Sequence, residues 1–142
     1  MRIRLGRNLD GEHGTLRTNE LDAVTTGPLG LLGILETQLG LPHLDVPAIE
    51  RVLAFRDCLK RCDHPGRFYH RTFAVDDLET ARTLLNWRDQ WHLHGWKGGF
   101  AGEPSARLAD MQALEMLAAQ SVPLSEGQRL ARVAERMEKR RP

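Results

Sequence analysis

A chain of 142 residues, 41% of them hydrophobic and 27% charged, is long enough to bury a core and too apolar to be disordered throughout. Its 20 basic and 19 acidic residues leave a formal net charge of +1, which excludes global steering onto nucleic acid or an anionic membrane and restricts such contact to a local patch. No apolar run reaches the length of a membrane span, and the start Met1-Arg2-Ile3-Arg4-Leu5-Gly6 lacks the apolar stretch of a secretory signal, so a cytoplasmic protein with no membrane partner is expected.

In chain order, Ile3 to Leu5 reads as a short strand that enters a loop containing Gly6, Gly11 and Gly14. Leu21 to Thr26, with Val24, Thr25 and Thr26, is a second strand, broken at Gly27-Pro28. Leu31, Leu32, Leu35 and Leu39 recur at helical spacing and Ile34 widens the stripe, so a nearly apolar helix is expected over Leu29 to Leu39, capped by Gly40. A second helix is expected from Pro47 to Arg61, burying Ile49, Val52, Leu53 and Leu59 and exposing Arg51, Lys60 and Arg61. Asp63-His64-Pro65-Gly66 is a turn. A third helix opens at Asp76, with Glu79 three residues on, and ends at Gly95; Leu78, Ala81, Leu84, Leu85 and Trp91 share its stripe. A fourth runs from Ser105 to Gln120. A fifth opens at Ser125 with Gln128 in the capping-box position and carries Leu130, Val133, Ala134 and Met137 on one side. The expected fold is therefore α/β and mainly helical, with two short parallel strands near the N-terminus and about five helices. The whole forms a single domain, divided into an α/β part over 1–66 and a helical part over 67–142.

Several groupings carry chemistry worth weighing. Gly6 and Gly11 have the spacing of a phosphate-binding loop, but Glu12 stands where lysine neutralises the terminal phosphates and His13 where a hydroxyl ligates magnesium. A carboxylate there repels phosphate, so the loop is a degenerate one and no nucleotide or other cofactor is expected. Cys58 and Cys62 lie one helical turn apart with His64, and further on His70, nearby, a single cysteine pair where zinc sites bring two together, so no metal is expected. Adjacent-turn cysteines rarely reach disulfide geometry, which fits a reducing compartment. His92 and His94 are two apart on a helix and point to different faces.

Arg67-Phe68-Tyr69-His70-Arg71 interleaves cations with rings, the composition that grips phosphates and stacks bases. The plainer reading puts Phe68, Tyr69 and Phe73 in the core and leaves the cations in water. Arg67, His70, Arg71 and, further on, Arg88 are the nucleic-acid candidates. Asp89 beside Arg88 reads as a surface or docking ion pair. All three tryptophans of the chain, Trp87, Trp91 and Trp96, fall within ten residues and are the docking candidates. No nucleophile has a base arranged beside it, so the chain is not expected to be an enzyme; a deep pocket uniting His70, His92 and Asp89 would argue otherwise.

Two stretches carry a family resemblance. One is Gly27-Pro28-Leu29-Gly30-Leu31-Leu32 through Leu35-Glu36 to Leu39-Gly40-Leu41. The other is Phe68-Tyr69, Phe73, Thr80-Ala81, Leu84-Leu85, Trp87-Arg88-Asp89 and Gly95-Trp96. Together they resemble the N-terminal region of bacterial AddB-like proteins of the PD-(D/E)XK nuclease family, described also as inactivated superfamily I helicase-like proteins. The resemblance covers roughly Ile3 to Trp96. It implies a degenerate RecA-like layer followed by a helical subdomain, with Gly6, Gly11, Glu12 and His13 as the eroded nucleotide loop. It also implies that this chain is the N-terminal fragment of a longer protein whose nuclease carboxylates lie beyond residue 142.

The function so implied is a non-catalytic module of a DNA-processing nuclease in DNA repair or recombination, with sequence-independent phosphate contacts. DNA, a nuclease-helicase partner subunit or the absent C-terminal domains are the expected partners. The alternative is a protein-interaction module with no nucleic-acid role.

Overall fold

The computed structural model describes residues 2–10, 22–41 and 44–140, and divides into two units, 1–44 with 130–142 and 45–129. The boundary expected after residue 66 falls inside the second unit.

In the first unit, β1 (Arg2–Leu5) and β2 (Ala23–Thr26) pair in parallel, Arg2 opposite Ala23 through Leu5 opposite Thr26. β2 leads into α1 (Pro28–Leu39), with Pro28 at the position where its missing N–H costs nothing. The first free amides of α1 are satisfied from a distance: the Asp10 carboxylate accepts from Leu29 N at 2.9 Å and Gly30 N at 3.1 Å. Glycine is required for that approach, because a Cβ on Gly27 would lie 2.4 Å from the Asp10 carboxyl carbon. The other end of α1 closes as expected. Gly40, at φ 67°, donates to Thr37 O, and Leu41 N reaches back to Glu36 O, the paired bonds of a Schellman cap. Leu32, Leu39 and Val133 form the buried centre of this unit, flanked by Leu35 and Leu41.

The second unit holds α2 (Ala48–Cys62), α3 (His70–Val75), α4 (Asp77–Leu93), α5 (Ala106–Ser121) and the start of α6 (Glu126–Glu138). α2 lies against both α4 and α5, and α3 against α4. Val52, Phe55, Cys58 and Leu59 of α2 meet Ala81, Leu84 and Leu85 of α4 and Met111, Leu114 and Ala118 of α5, with Tyr69 from the turn before α3. Ile49 and Leu53, expected inside, are exposed, and Phe55 and Cys58 take their place. Among the described residues the fold is thus mainly helical with two short parallel strands. The helix beyond the expected five is α3, whose six residues are too few to display a period.

The caps follow the sequence. Asp76 accepts from Glu79 N at 2.9 Å, although the Glu79 side chain turns to Arg82 instead of closing a box. Ser125 and Gln128 do close one: Gln128 N donates to Ser125 Oγ and Ser125 N to Gln128 Oε1. Gly95, at φ 90°, ends α4 with a second Schellman cap, in which Trp96 N bonds Trp91 O and Gly95 N bonds His92 O.

Candidate functional site

The residues marked by the sequence concentrate on α4, and the structure sends them to opposite sides of it. On the inner side, Arg88 is 1% exposed. Its Nε and Nη2 donate to the two carboxylate oxygens of Glu115 on α5, at 2.5 and 2.9 Å. The His92 Nε2 lies 3.2 Å from Glu115 Oε1, and its Nδ1 lies 3.0 Å from the Trp96 carbonyl. Burial works against the Glu115 charge, but the hydrogen bonds from His92 and Arg88 outweigh it and hold the carboxyl below its usual range.

The expected Arg88–Asp89 pairing is not formed. Neighbours on a helix point about 100° apart, so Asp89 faces α2 and is gripped there by Arg51. The Nη1–Oδ2 and Nη2–Oδ1 distances are 2.6 and 2.8 Å, while Arg51 Nε bonds the Pro123 carbonyl at 3.0 Å. Arg51, expected in solvent, is therefore a clamp between α2, α4 and the turn before α6.

The other nucleic-acid candidates are also engaged inside the protein. Arg67 Nη1 bonds Asp110 Oδ1 at 2.6 Å and its Nε the Cys62 carbonyl at 3.1 Å, and Phe68 N donates to the second Asp110 oxygen. The bond to Asp110 makes the Arg67 guanidinium hold its proton still more firmly. His70 Nδ1 sits 3.0 Å from Asp63. Arg88 is beyond the reach of any phosphate. Arg71 alone of the four is exposed and, among the described residues, outside any ion pair.

The tryptophans divide likewise. Trp91, Trp96 and Phe100, all half-buried, pack on one another, with Trp91 edge-on to Trp96 at 5.4 Å and Trp96 stacked on Phe100 at 5.2 Å; Trp96 Nε1 donates to Gly99 O. Trp87 is 39% exposed and lines a groove of about 660 Å³, together with Phe68, Tyr69, Leu84, Arg71 and Arg107. Of the degenerate loop, Gly6 donates its N–H to Thr26 O at 3.1 Å, while Gly11, Glu12 and His13 lie outside the described residues.

His70, His92 and Asp89 do not come together: each has its own partner on a different element. Among the described residues, no group of three or more His, Cys, Asp or Glu side chains is placed to hold a metal ion, and no helix is long and apolar enough to cross a membrane. Cys58 and Cys62 are free thiols, and burial pushes the Cys58 thiol up. His94 bonds the Gln90 carbonyl at the end of α4, as a C-terminal histidine should.

The residues that sequence reasoning missed are the carboxylates, Glu115 and Asp110. A signal for Glu115 was present. It falls four residues after Met111 and three before Ala118, on the apolar stripe of α5, and Arg88 falls four after Leu84 on the stripe of α4. One acid and one base on facing buried stripes are placed to meet.

Comparison with protein-family models, with curated proteins and with solved structures returns no match to this chain.

Proposed function

We propose that this chain is a non-catalytic, helicase-like module of a DNA-processing nuclease acting in DNA repair or recombination in the cytoplasm. The observation that carries the reading is Asp10 at the start of α1. In phosphate-binding α/β folds, the helix after a parallel strand offers its free N–H groups and dipole to an anion. Here that position follows β2, and the chain fills it with its own carboxylate through two hydrogen bonds. An α1 N-terminus already occupied by a carboxylate of the chain supports a role as scaffold. The resemblance through Trp87-Arg88-Asp89 agrees with it, since two of those three residues serve ion pairs that hold helices together. Titration with MgATP should give no binding heat. Fluorescence anisotropy with labelled single-stranded and duplex DNA should show weak, salt-dependent association that Arg71→Glu abolishes. Saturable ATP binding or turnover would sink this reading.

A second reading, a protein-interaction module with no nucleic-acid role, is favoured by one specific observation. Three of the four candidate DNA-contacting side chains are engaged inside the protein, while Trp87 remains open in a groove. DNA association that is absent at low salt would select it.

A further inference from the structure

We propose that the groove along α3 and α4 is a docking site for an acidic, apolar peptide segment of a partner protein, an assignment that rests on the second reading and names its partner's chemistry. The groove has a ring-lined floor of Phe68, Tyr69 and Trp87 with Leu84, and Val75, 88% exposed, stands at its rim. Its volume of about 660 Å³ falls within the range of ligand-binding clefts. An exposed tryptophan that shares a groove with arginines has the composition of an interface anchor.

Charge complementarity selects the occupant. Four charged residues line the groove: Arg71, Asp76, Glu79 and Arg107. The two carboxylates already have work within the fold. Asp76 caps α4 and Glu79 pairs with Arg82 at 3.2 Å. Among the described residues the two arginines have no carboxylate partner; Arg107 stands 6.0 Å over the Phe68 ring and Arg71 is open to solvent. What is lacking is therefore negative charge next to apolar bulk.

A nucleic-acid strand supplies negative charge as well, but it carries a phosphate at every step and would pass Asp76 and Glu79. A peptide can place a carboxylate at the arginines and a leucine or aromatic ring on Trp87 while presenting neutral atoms to the acids.

The experiment is selection of a random displayed peptide library on the full chain, followed by fluorescence polarisation with the best synthesised peptide. Binders should carry net negative charge and at least one large apolar residue. Binding should fall by roughly tenfold or more in Arg71→Glu/Arg107→Glu and in Trp87→Ala, and be largely kept in Arg71→Lys/Arg107→Lys. Among the described residues both arginines lie outside any ion pair, and the reversal gives up only the Arg107 contact with the Phe68 ring, so a melting temperature close to the parent's separates lost docking from lost folding. Binders that lack acidic residues, that hold the reversed variant as tightly as the parent, or that a thymidine oligonucleotide displaces would overturn the assignment. Peptides that bind but ignore Arg71, Arg107 and Trp87 would leave an interaction module with its site elsewhere. A selection that yields no binder at all would remove both that module and this groove.

Discussion

Arg88 and Glu115 face each other across the core of the second unit, joined by two hydrogen bonds and sealed from water at 1% and 8% side-chain exposure. A lone buried charge costs several kcal/mol, so each of these residues is tolerable only because of the other. His92 adds a third hydrogen bond to Glu115 Oε1 and ties the cluster to the chain reversal at Trp96. The Trp87-Arg88-Asp89 stretch is thus a joint. Arg88 fastens α4 to α5, and Asp89, through Arg51, fastens it to α2 and to the turn at Pro123.

Removing one partner should be far worse than removing both. Glu115→Leu or Arg88→Met alone leaves an uncompensated buried charge and should cost about 3–5 kcal/mol in urea unfolding. The double variant should be more stable than the sum of the single losses predicts. Arg88 Nη1 already lacks a hydrogen-bond partner among the described residues, so part of the arginine's desolvation is uncompensated even in the parent. Additive losses in the double-mutant cycle would show that the two side chains act independently.

The same cluster sets an acid limit. Glu115 is held below its ordinary range in the fold, so on acidification the unfolded chain takes up the proton first. The stabilisation is full above the ordinary glutamate range and is lost as pH falls through the lower folded value. Thermal unfolding followed by circular dichroism should show the melting temperature falling across that window. In Glu115→Gln the slope should be shallower, from a lower starting point.

Much of the fold was legible because its signals are local. Gly40 and Gly95 stop helices through left-handed caps, Asp76 and Ser125 start them, and Gly27-Pro28 breaks β2 from α1. What escaped was everything set by partners distant in sequence. Arg51 reads as a solvated helix cation until Asp89, 38 residues away, turns toward it. Arg67 reads as a phosphate ligand until Asp110 takes its guanidinium. Basic residues beside rings look alike in sequence whether their anion is a phosphate or an aspartate of the same chain. Only the Arg88 and Glu115 positions on apolar stripes foretold a buried pair.

Tyr69 makes an alkaline counterpart. It is the only tyrosine of the chain, 1% exposed, and donates to the Leu59 carbonyl. Burial, reinforced by nearby Cys62, pushes its phenol well above the usual range. The unfolded chain therefore loses this proton first as pH rises, and stability declines above the ordinary tyrosine range. Tyrosinate absorbance should stay flat through that range and then rise together with loss of helical circular dichroism. A smooth titration at the ordinary position with the helices intact would show that the ring is open to water.

Gly127, in the first turn of α6, is buried against the end of α4. A Cβ there would lie 2.5 Å from Leu93 N and 2.6 Å from Leu93 Cα. These are backbone atoms that cannot swing aside, so either α6 or the last turn of α4 must shift. In an open helix, Gly→Ala stabilises by up to about 1 kcal/mol through propensity. Here overpacking should reverse the sign and cost roughly 1–3 kcal/mol. Gly33 is the control, since a Cβ at that position in α1 meets nothing within 4 Å. Gly33→Ala should raise the urea midpoint and Gly127→Ala lower it, and equal shifts in one direction would mean that α6 does not approach α4 this closely.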